Sequence, residues 1–431
     1  MSTPTKRIAF QTLGCKLNFS ETATISRDFI RHGFEKVDYR DEADIYVLNT
    51  CSVTENADKE ARKLIRSFKK RNPTSSIAVI GCYAQLSPNE IATIDGVDLV
   101  LGTEEKFNLL SHLSTLESNG SGKIIQSEID HIQVFTPSYS TNERTRSFLK
   151  IQDGCDYACS FCTIPLARGA SRSESINNTM KAAKELEKTG TKEIVLTGVN
   201  IGDFGSGTNE TFYELIQQLD ILEGIERIRI SSIEPNLLTD EIIDFCASSN
   251  KFMPHFHIPL QSGSDKILRT MRRRYKRELF EDRISKIKKS IPDVCIGVDV
   301  IVGFPGETDE NFLETYHFLN ELDISYLHVF TYSQRPNTDA GVMNQSVPQK
   351  IKAKRSKMLH SLSDKKRRFF QDQFLAKKRT VLIESLKDGL IFGHTDNYIK
   401  VEVTGDQKMI NTMIGIHLHE NLGSYMKGKC P

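Results

Sequence analysis

Cys155, Cys159 and Cys162 lie within one short run, GCDYACSFCTIP (154–165), at a C-x3-C-x2-C spacing. Three thiolates this close can grip three corners of a four-iron cluster and leave the fourth iron without a protein ligand. A zinc site asks for four ligands in paired knuckles, and no fourth partner lies nearby in sequence. Ordinary burial is the remaining alternative, because free cysteine is among the most buried residue types. The spacing favours the open iron site, with zinc and simple burial as the alternatives.

At 431 residues the chain is long enough for two or three domains. Hydrophobic content of 38% with 26% charged residues is that of a soluble globular protein. No apolar run reaches the length of a membrane span, and the N-terminus has no signal-peptide pattern. Nine cysteines, an odd number, argue against a disulfide framework and for the reducing cytoplasm.

Short apolar runs alternate with helical patterns over residues 1–120: RIAFQTL (7–13), a helix opened by Ser20 and closed by Gly33, IYVLN (45–49), a helix at 56–71, SIAVI (76–80) and DLVLG (98–102). This alternation predicts an open parallel α/β sheet. A polar linker follows over 121–145, including parts of SNGSGK (118–123) and PSYSTNERTR (137–146). Six further strands with intervening helices over 146–348 predict a partial (βα)6 barrel, whose chemistry sits at the strand C-termini. Residues 349–378 read as a basic helical linker. The tail, 379–431, has period-two patterning with turn signals at Asp388-Gly389 and His394–Asn397, enough for a small all-β barrel.

Cys15, Cys51 and Cys82 each follow directly on a predicted strand, in QTLGC, VLNTC and VIGC. In a parallel sheet those strand ends share one edge, where open α/β sheets put their ligands. The three cysteines therefore read as a second converging three-ligand site, against the alternative of three small buried residues. Cys246, Cys295 and Cys430 show no such placement and read as structural.

The net charge of +1 conceals an asymmetry: residues 349–379 carry twelve Lys or Arg against Asp364 and Asp372, leaving the remainder acidic. So one-sided a block points to a polyanion such as nucleic acid, with a solvated helix face as the plainer reading.

GCDYACSFCTIP resembles the radical S-adenosylmethionine (SAM) motif, and the chain as a whole is similar to the methylthiotransferases across nearly its full length. In that family an N-terminal domain carries three cluster cysteines, a radical SAM barrel follows, and a small TRAM barrel ends the chain. TLGCKLNFSE (12–21) resembles the branch that acts on C2 of N6-threonylcarbamoyladenosine at position 37 of tRNA, chiefly through Lys16 and Leu17. Branches acting on isopentenyladenosine-37 or on a ribosomal-protein aspartate are the nearest alternatives. A non-catalytic zinc or iron–sulfur RNA-binding protein is the alternative of another class.

The resemblance implies two [4Fe–4S] clusters. Cys155, Cys159 and Cys162 would hold the one whose open iron chelates SAM and delivers the electron that makes the 5′-deoxyadenosyl radical. Cys15, Cys51 and Cys82 would hold the auxiliary one, where sulfur is methylated and passed on. Tyr157 and Phe161 would shield the first cluster. SAM contacts are expected at strand ends: Thr197, Gly198 and Asn200 in TGVNIGD, Ser232 and Glu234 in SSIEP, Gln261 in PLQSGS, Arg273 as a carboxylate partner, and Asp299. Lys16 and Asn18 would line the nucleoside pocket, and Lys365, Lys366, Arg367 and Arg368 would grip the anticodon loop, whose unpaired bases are cheap to extrude. An electron donor of the reductase or flavodoxin type and a sulfur source are the implied partners, with no membrane.

Overall fold

A computed structural model describes residues 5–52, 54–114, 122–141 and 145–430. Residues 121 and 142–144 of the expected polar linker lie outside them. The chain divides into two compact units: Met1–Ser140 with Phe148–Glu174 and Ser333–Gly341, and Thr141–Ser147 with Ser175–Tyr332 and Val342–Pro431. The boundary expected near residue 146 is thus crossed twice, because the 148–174 cysteine loop and a short late segment group with the N-terminal sheet.

The first unit is built on β1 (Arg7–Thr12), α1 (Lys16–Arg31), β2 (Glu35–Val37), β3 (Ile45–Thr50), α2 (Glu55–Arg71), β4 (Ser76–Gly81), α3 (Cys82–Leu86), α4 (Pro88–Ala92), β5 (Leu99–Leu101), α5 (Leu109–Ser114) and β6 (Lys123–Ile125). The strands form one sheet in the order β2-β1-β3-β4-β5-β6, every pair parallel. Ile8, Val47, Ile80 and Leu101 pack on Ile25 and Phe29 of α1, while Ala9, Tyr46, Leu48 and Val79 pack on Ile65 and Phe68 of α2. Burial on both faces explains why β3, β4 and β5, in the middle of the sheet, read as apolar runs. β6 falls inside the stretch expected to be a linker: it pairs with β5 and covers that sheet edge.

α1 starts four residues before the expected Ser20. Gly14 adopts φ +99 and Cys15 takes the N-cap in an extended conformation, so the chain turns from strand to helix at the cysteine itself. In α2, Thr54 accepts from the Ala57 N–H, with Glu55 and Asp58 in the first turn and Lys69, Lys70 and Arg71 in the last, matching the helix dipole. The unit is completed by the end of β7 (Arg146–Lys150), by β8 (Gln152–Asp153), α6 (Ile164–Arg168) and β9 (Arg172–Ser173), with β8 antiparallel to β9.

The second unit begins at the start of β7 and runs through α7 (Ile176–Lys188), β10 (Glu193–Thr197), α8 (Phe212–Asp220), β11 (Arg227–Ile230), α9 (Asp240–Ser248), β12 (His255–Gln261), α10 (Asp265–Thr270), α11 (Arg277–Ser290), β13 (Cys295–Val302), α12 (Asp309–Glu321) and β14 (Tyr326–Thr331). Two three-stranded sheets, β11-β10-β7 and β12-β13-β14, are joined by parallel bridges Ile228–Phe252 and Ser232–His257. This is the expected six-stranded partial barrel. Capping boxes start α8 (Thr211, Glu214) and α12 (Thr308, Asn311).

α13 (Gln349–Asp372) carries most of the basic block, and β15 (Lys378–Lys387), β16 (Leu390–Thr395), β17 (Lys400–Thr404), β18 (Met413–Asn421) and β19 (Met426–Lys429) close into the expected small barrel in the order β15-β16-β17-β19-β18. Asp388 (φ +53) and Gly389 (φ +76) make the β15–β16 turn that their sequence signalled. Phe370 and Phe374 pack into the barrel core, whereas Phe369 is exposed. Among the described residues, no helix is long and apolar enough to cross a membrane.

Arg227 and Arg229, two apart on β11, are both buried beside Glu193. Arg229 Nε donates to Glu193 Oε1 at 2.7 Å, and the two guanidiniums also donate to the carbonyls of Thr380, His394, Thr395 and Asp396. These bonds fix the β16–β17 turn against the larger barrel. Glu193→Gln removes the only carboxylate that either arginine meets in this set of bonds. The expected loss is about 3–5 kcal/mol, measured as a lower urea midpoint against wild type.

Candidate functional site: two cysteine triads in one unit

All six candidate ligands lie in the first unit. Cys155, Cys159 and Cys162, each half-buried, sit on the loop between β8 and α6. The loop is closed at its base, where the Cys155 N–H donates to the Gly169 carbonyl at 3.0 Å. Gly154 (φ +69) is needed there, since a Cβ would lie 1.9 Å from the Ala170 carbonyl oxygen. Gln152 Nε2 donates to the carbonyls of Asp153 and Gly154. The Tyr157 N–H points at Cys155 Sγ (3.4 Å) and the Ile164 N–H at Cys162 Sγ (3.5 Å). Backbone donors aimed at sulfur are the surroundings that thiolate ligands of an iron–sulfur cluster require, so the donor set fits such a group. Tyr157 is buried and Phe161 half-buried.

Cys15, Cys51 and Cys82 stand at the C-terminal ends of β1, β3 and β4, which are neighbours in the sheet. The expected convergence on one edge is therefore what the strand order produces. A Cβ on Gly14 would lie 2.6 Å from Cys51 Cβ and 3.0 Å from its Sγ, so the turn carrying Cys15 passes directly over Cys51. Cys15 keeps an exposed face, yet packing around its sulfur raises its pKa, with Arg168 acting in the opposite direction.

Asn18, expected to line a nucleoside pocket, is buried and organises this edge instead. Its Nδ2 donates to the carbonyls of Leu13 and Thr50 at 3.0 Å, tying the ends of β1 and β3 together. Its Oδ1 accepts from Arg168 Nη2 at 2.5 Å and faces Cys15 Sγ at 3.9 Å. Lys16 is half-buried in the first turn of α1, beside Cys15.

Arg168 ends the helix that follows the 155–162 loop, and it is the centre of a group of charges that the sequence reading missed. Glu21 accepts from Arg168 Nη1 (3.0 Å), Lys106 Nζ (2.7 Å) and Lys150 Nζ (3.0 Å), and Asp153 accepts from Arg168 Nη1 (2.8 Å) and Lys150 Nζ (2.7 Å). All five side chains are at most 2% exposed. Burial alone would raise the Glu21 carboxyl, but Arg168, Lys106 and Lys150 outweigh it and hold it far below its usual value. Burial pulls Lys106 down to about 8 despite Glu21. The one signal in the sequence was a charged residue inside an apolar strand, as Lys150 is in SFLKI.

The residues expected to contact SAM lie in the second unit. Thr197 closes β10 and is buried, with Gly198 half-buried and Asn200 buried behind it, Asn200 Nδ2 bonding Asp203 at 2.7 Å. Ser232 is half-buried just beyond β11. Gln261 ends β12 at a bulge with φ +67. Glu234 and Arg273, expected to act separately, form one ion pair, so a carboxylate would have to share Arg273 with Glu234. Asp299 lies in the middle of β13 rather than at its end, bonded to His257 Nε2 at 2.6 Å. His328 of β14 stacks on His257 with ring centroids 4.9 Å apart, and the three side chains form one polar cluster across β12, β13 and β14.

Of the basic residues expected to grip RNA, Lys365 and Arg368 are exposed on α13. Lys366 donates to the carbonyls of Asn320 and Leu322 at the end of α12, and Arg367 pairs with Asp364. Lys352 and Arg355 are buried, Arg355 against Glu307 and Asp309. Part of the positive block is thus internal cement. Cys246 and Cys295 are buried, with burial pushing the Cys295 thiol up to about 12, as suits structural residues.

Residues 149–319 match the family model described as the Radical SAM superfamily, and residues 7–102 match the Uncharacterized protein family UPF0004. The chain is similar to the threonylcarbamoyladenosine tRNA methylthiotransferase MtaB of Bacillus subtilis (strain 168), with 41% identity covering 98% of this chain and 96% of the relative. The enzyme of that name from Aquifex aeolicus (strain VF5) is 40% identical, over 93% of this chain and 97% of its own. A tRNA-2-methylthio-N(6)-dimethylallyladenosine synthase of Endomicrobium trichonymphae is 34% identical, over 95% and 96%. Among solved structures, the radical SAM methyltransferase TsrM from Kitasatospora setae, with cobalamin and a [4Fe-4S] cluster bound, shares the fold at TM-score 0.56 and 13% identity, covering 78% of this chain and 77% of its own.

Two outcomes follow from this geometry. Gly14→Ala forces a Cβ onto Cys51 at a left-handed φ; iodoacetamide labelling of metal-free protein, read by mass spectrometry, is expected to rise at Cys15 and Cys51 and stay unchanged at Cys155. The folded Glu21 carboxyl titrates below its ordinary value of 4.5, so its stabilisation is complete above that value and is lost as pH falls from there toward the folded pKa. The melting temperature of metal-free protein should drop on acidification below about pH 5, and Glu21→Gln should start lower and fall less steeply.

Proposed function

This chain belongs to the radical SAM tRNA methylthiotransferase family, and on that premise we propose that it methylthiolates C2 of N6-threonylcarbamoyladenosine at position 37 of tRNA, using two [4Fe–4S] clusters and SAM. The observation that carries the two-cluster reading is the pair of three-cysteine sets within one unit, with the other three cysteines, Cys246, Cys295 and Cys430, in the second unit. The names of the relatives at 41% and 40% identity, together with Gly14-Cys15-Lys16-Leu17-Asn18, support the threonylcarbamoyl substrate. Isopentenylated adenosine is the second reading, favoured by the relative at 34% identity.

When bound, one cluster would supply the electron that opens SAM, and the other would hold the sulfur to be transferred. The chain's own part is to hold, orient and screen. Cys155, Cys159 and Cys162 would ligate the first cluster, with buried Tyr157 and half-buried Phe161 keeping water from it. Cys15, Cys51 and Cys82 would ligate the second at the sheet edge. Thr197, Gly198, Asn200, Ser232, Gln261 and the Glu234–Arg273 pair would bind SAM through strand-end polar groups. Lys16, beside Cys15, would face the threonyl carboxylate, and Lys365 and Arg368 on α13 would contact phosphates. An external one-electron donor of the reductase or flavodoxin type and a sulfur source complete the reaction, in the cytoplasm where tRNA is modified.

Reconstituted enzyme is to be incubated with SAM, reductant and tRNA carrying either modification, followed by nucleoside mass spectrometry. The expected product is 2-methylthio-N6-threonylcarbamoyladenosine; product only from isopentenylated tRNA would move the chain to the second reading, and thiolation of a protein aspartate with neither tRNA modified would remove the RNA substrate. Cys159→Ala is expected to abolish SAM cleavage, while Cys51→Ala retains cleavage and loses thiolation. Zinc without labile sulfide after anaerobic reconstitution would defeat the enzymatic reading altogether.

A further inference from the structure

The segment Ser333–Gly341 groups with the first unit, and its contacts touch both cysteine loops. Ser333 Oγ accepts from the Glu55 N–H at 3.2 Å, at the start of α2. Arg335 is buried, 7% exposed, and its Nη2 donates to Ser52 Oγ (2.6 Å) and Asp58 Oδ2 (2.7 Å). Ser52 Oγ in turn donates to Asp58 Oδ1 at 3.2 Å, closing a triad immediately after Cys51. Further along the segment, the Ala340 N–H donates to the carbonyl of Ser160, between Cys159 and Cys162, at 2.8 Å.

The stretch between those two anchors is stiff. Thr338 Oγ1 donates to the Arg335 carbonyl at 2.9 Å, and the Gly341 N–H donates to the Thr338 carbonyl at 2.9 Å. Asn337 sits at φ +60, and a Cβ on Gly341 would lie 2.3 Å from the Arg335 carbonyl oxygen. A short strap with no slack therefore connects a residue adjoining Cys51 to one lying between Cys159 and Cys162. Arg168 makes a second tie, from Asn18 beside Cys15 to Asp153 beside Cys155.

We infer that Arg335 is a positioning residue, and that the strap it anchors sets the separation of the two three-cysteine sites. The inference rests on the two-cluster reading above. Two centres that must act on one carbon tolerate little error, since a misplacement of about 1 Å can cost roughly a hundredfold in rate. Arg335 bonds Ser52 and Asp58, so its effect reaches the reaction through the loop it holds.

The test compares wild type with Arg335→Gln, Arg335→Lys and Ser52→Ala after anaerobic reconstitution. Three quantities are read: iron per chain, the spin–spin interaction between the reduced clusters by electron paramagnetic resonance, and the ratio of thiolated nucleoside to 5′-deoxyadenosine. Arg335→Gln is expected to retain about eight irons, to change the intercluster splitting, and to lower the product ratio about tenfold or more. Arg335→Lys keeps the charge but not the planar fork and should fall between. Full iron with unchanged splitting and unchanged ratio would overturn the inference. Should Arg335→Gln lose its iron, Ser52→Ala decides: altered splitting with a lower ratio supports the strap, and wild-type values for both refute it. Wild type that binds only about four irons would instead defeat the two-cluster reading, an outcome distinguishable from failure of the strap.

Discussion

Glu21 meets Arg168, Lys106 and Lys150 in a space that excludes water, and the geometry of the first unit depends on that meeting. Each ion taken from water costs several kcal/mol, and removing one partner leaves an uncompensated charge behind. The charges come from α1, the turn before α5, β7 and α6, with Asp153 of β8 completing the set. A packing that slid the 155–162 loop relative to α1 would expose or orphan at least one of them. Apolar contacts at the same place would tolerate a small slip; a ring of buried ion pairs does not. Loss of any one partner is therefore costly, which ties the 155–162 loop to α1.

Each cysteine loop is held by its neighbours in sequence. Asn18 works for Cys15, Ser52 for Cys51, and Gly154 with Gln152 for Cys155. The side chains of Asn18, Ser52 and Gln152 bond main-chain carbonyls, Arg168, Arg335, Asp58 and Ser171. Positions beside the ligands that look like candidates for substrate contact are therefore largely scaffold. In the second unit the same economy operates with Arg227, Arg229 and Glu193, which lock the small terminal barrel to the larger one.

Much of this could be read from residues alone, and the reasons are local. Strands buried on both faces must be apolar throughout, so β3 and β4 were visible as IYVLN and SIAVI. The edge placement of Cys15, Cys51 and Cys82 followed from strand ends in a parallel sheet, once β1, β3 and β4 proved adjacent. Other features depend on distant partners and leave no local trace. β6 is too short to show a period, and α1 began early because Gly14 could take a left-handed turn. Glu21 and Lys106 meet across 85 positions, and Arg335 meets Ser52 across 283. A buried ion pair of this kind looks, in sequence, like two ordinary surface charges. For the same reason the basic block promised more free cations than α13 presents, since Lys352 and Arg355 are turned inward.

Two independent three-cysteine sites in one unit are the central claim, and iron content of a triple variant tests it most directly. Cys155, Cys159 and Cys162 are replaced together by alanine, and the protein is reconstituted anaerobically and analysed by Mössbauer spectroscopy with iron and sulfide determination. About four irons per chain, in a single [4Fe–4S] spectrum, against about eight in wild type, is the expected result. A triple variant that binds no iron, from a wild type that binds about four, would contradict it.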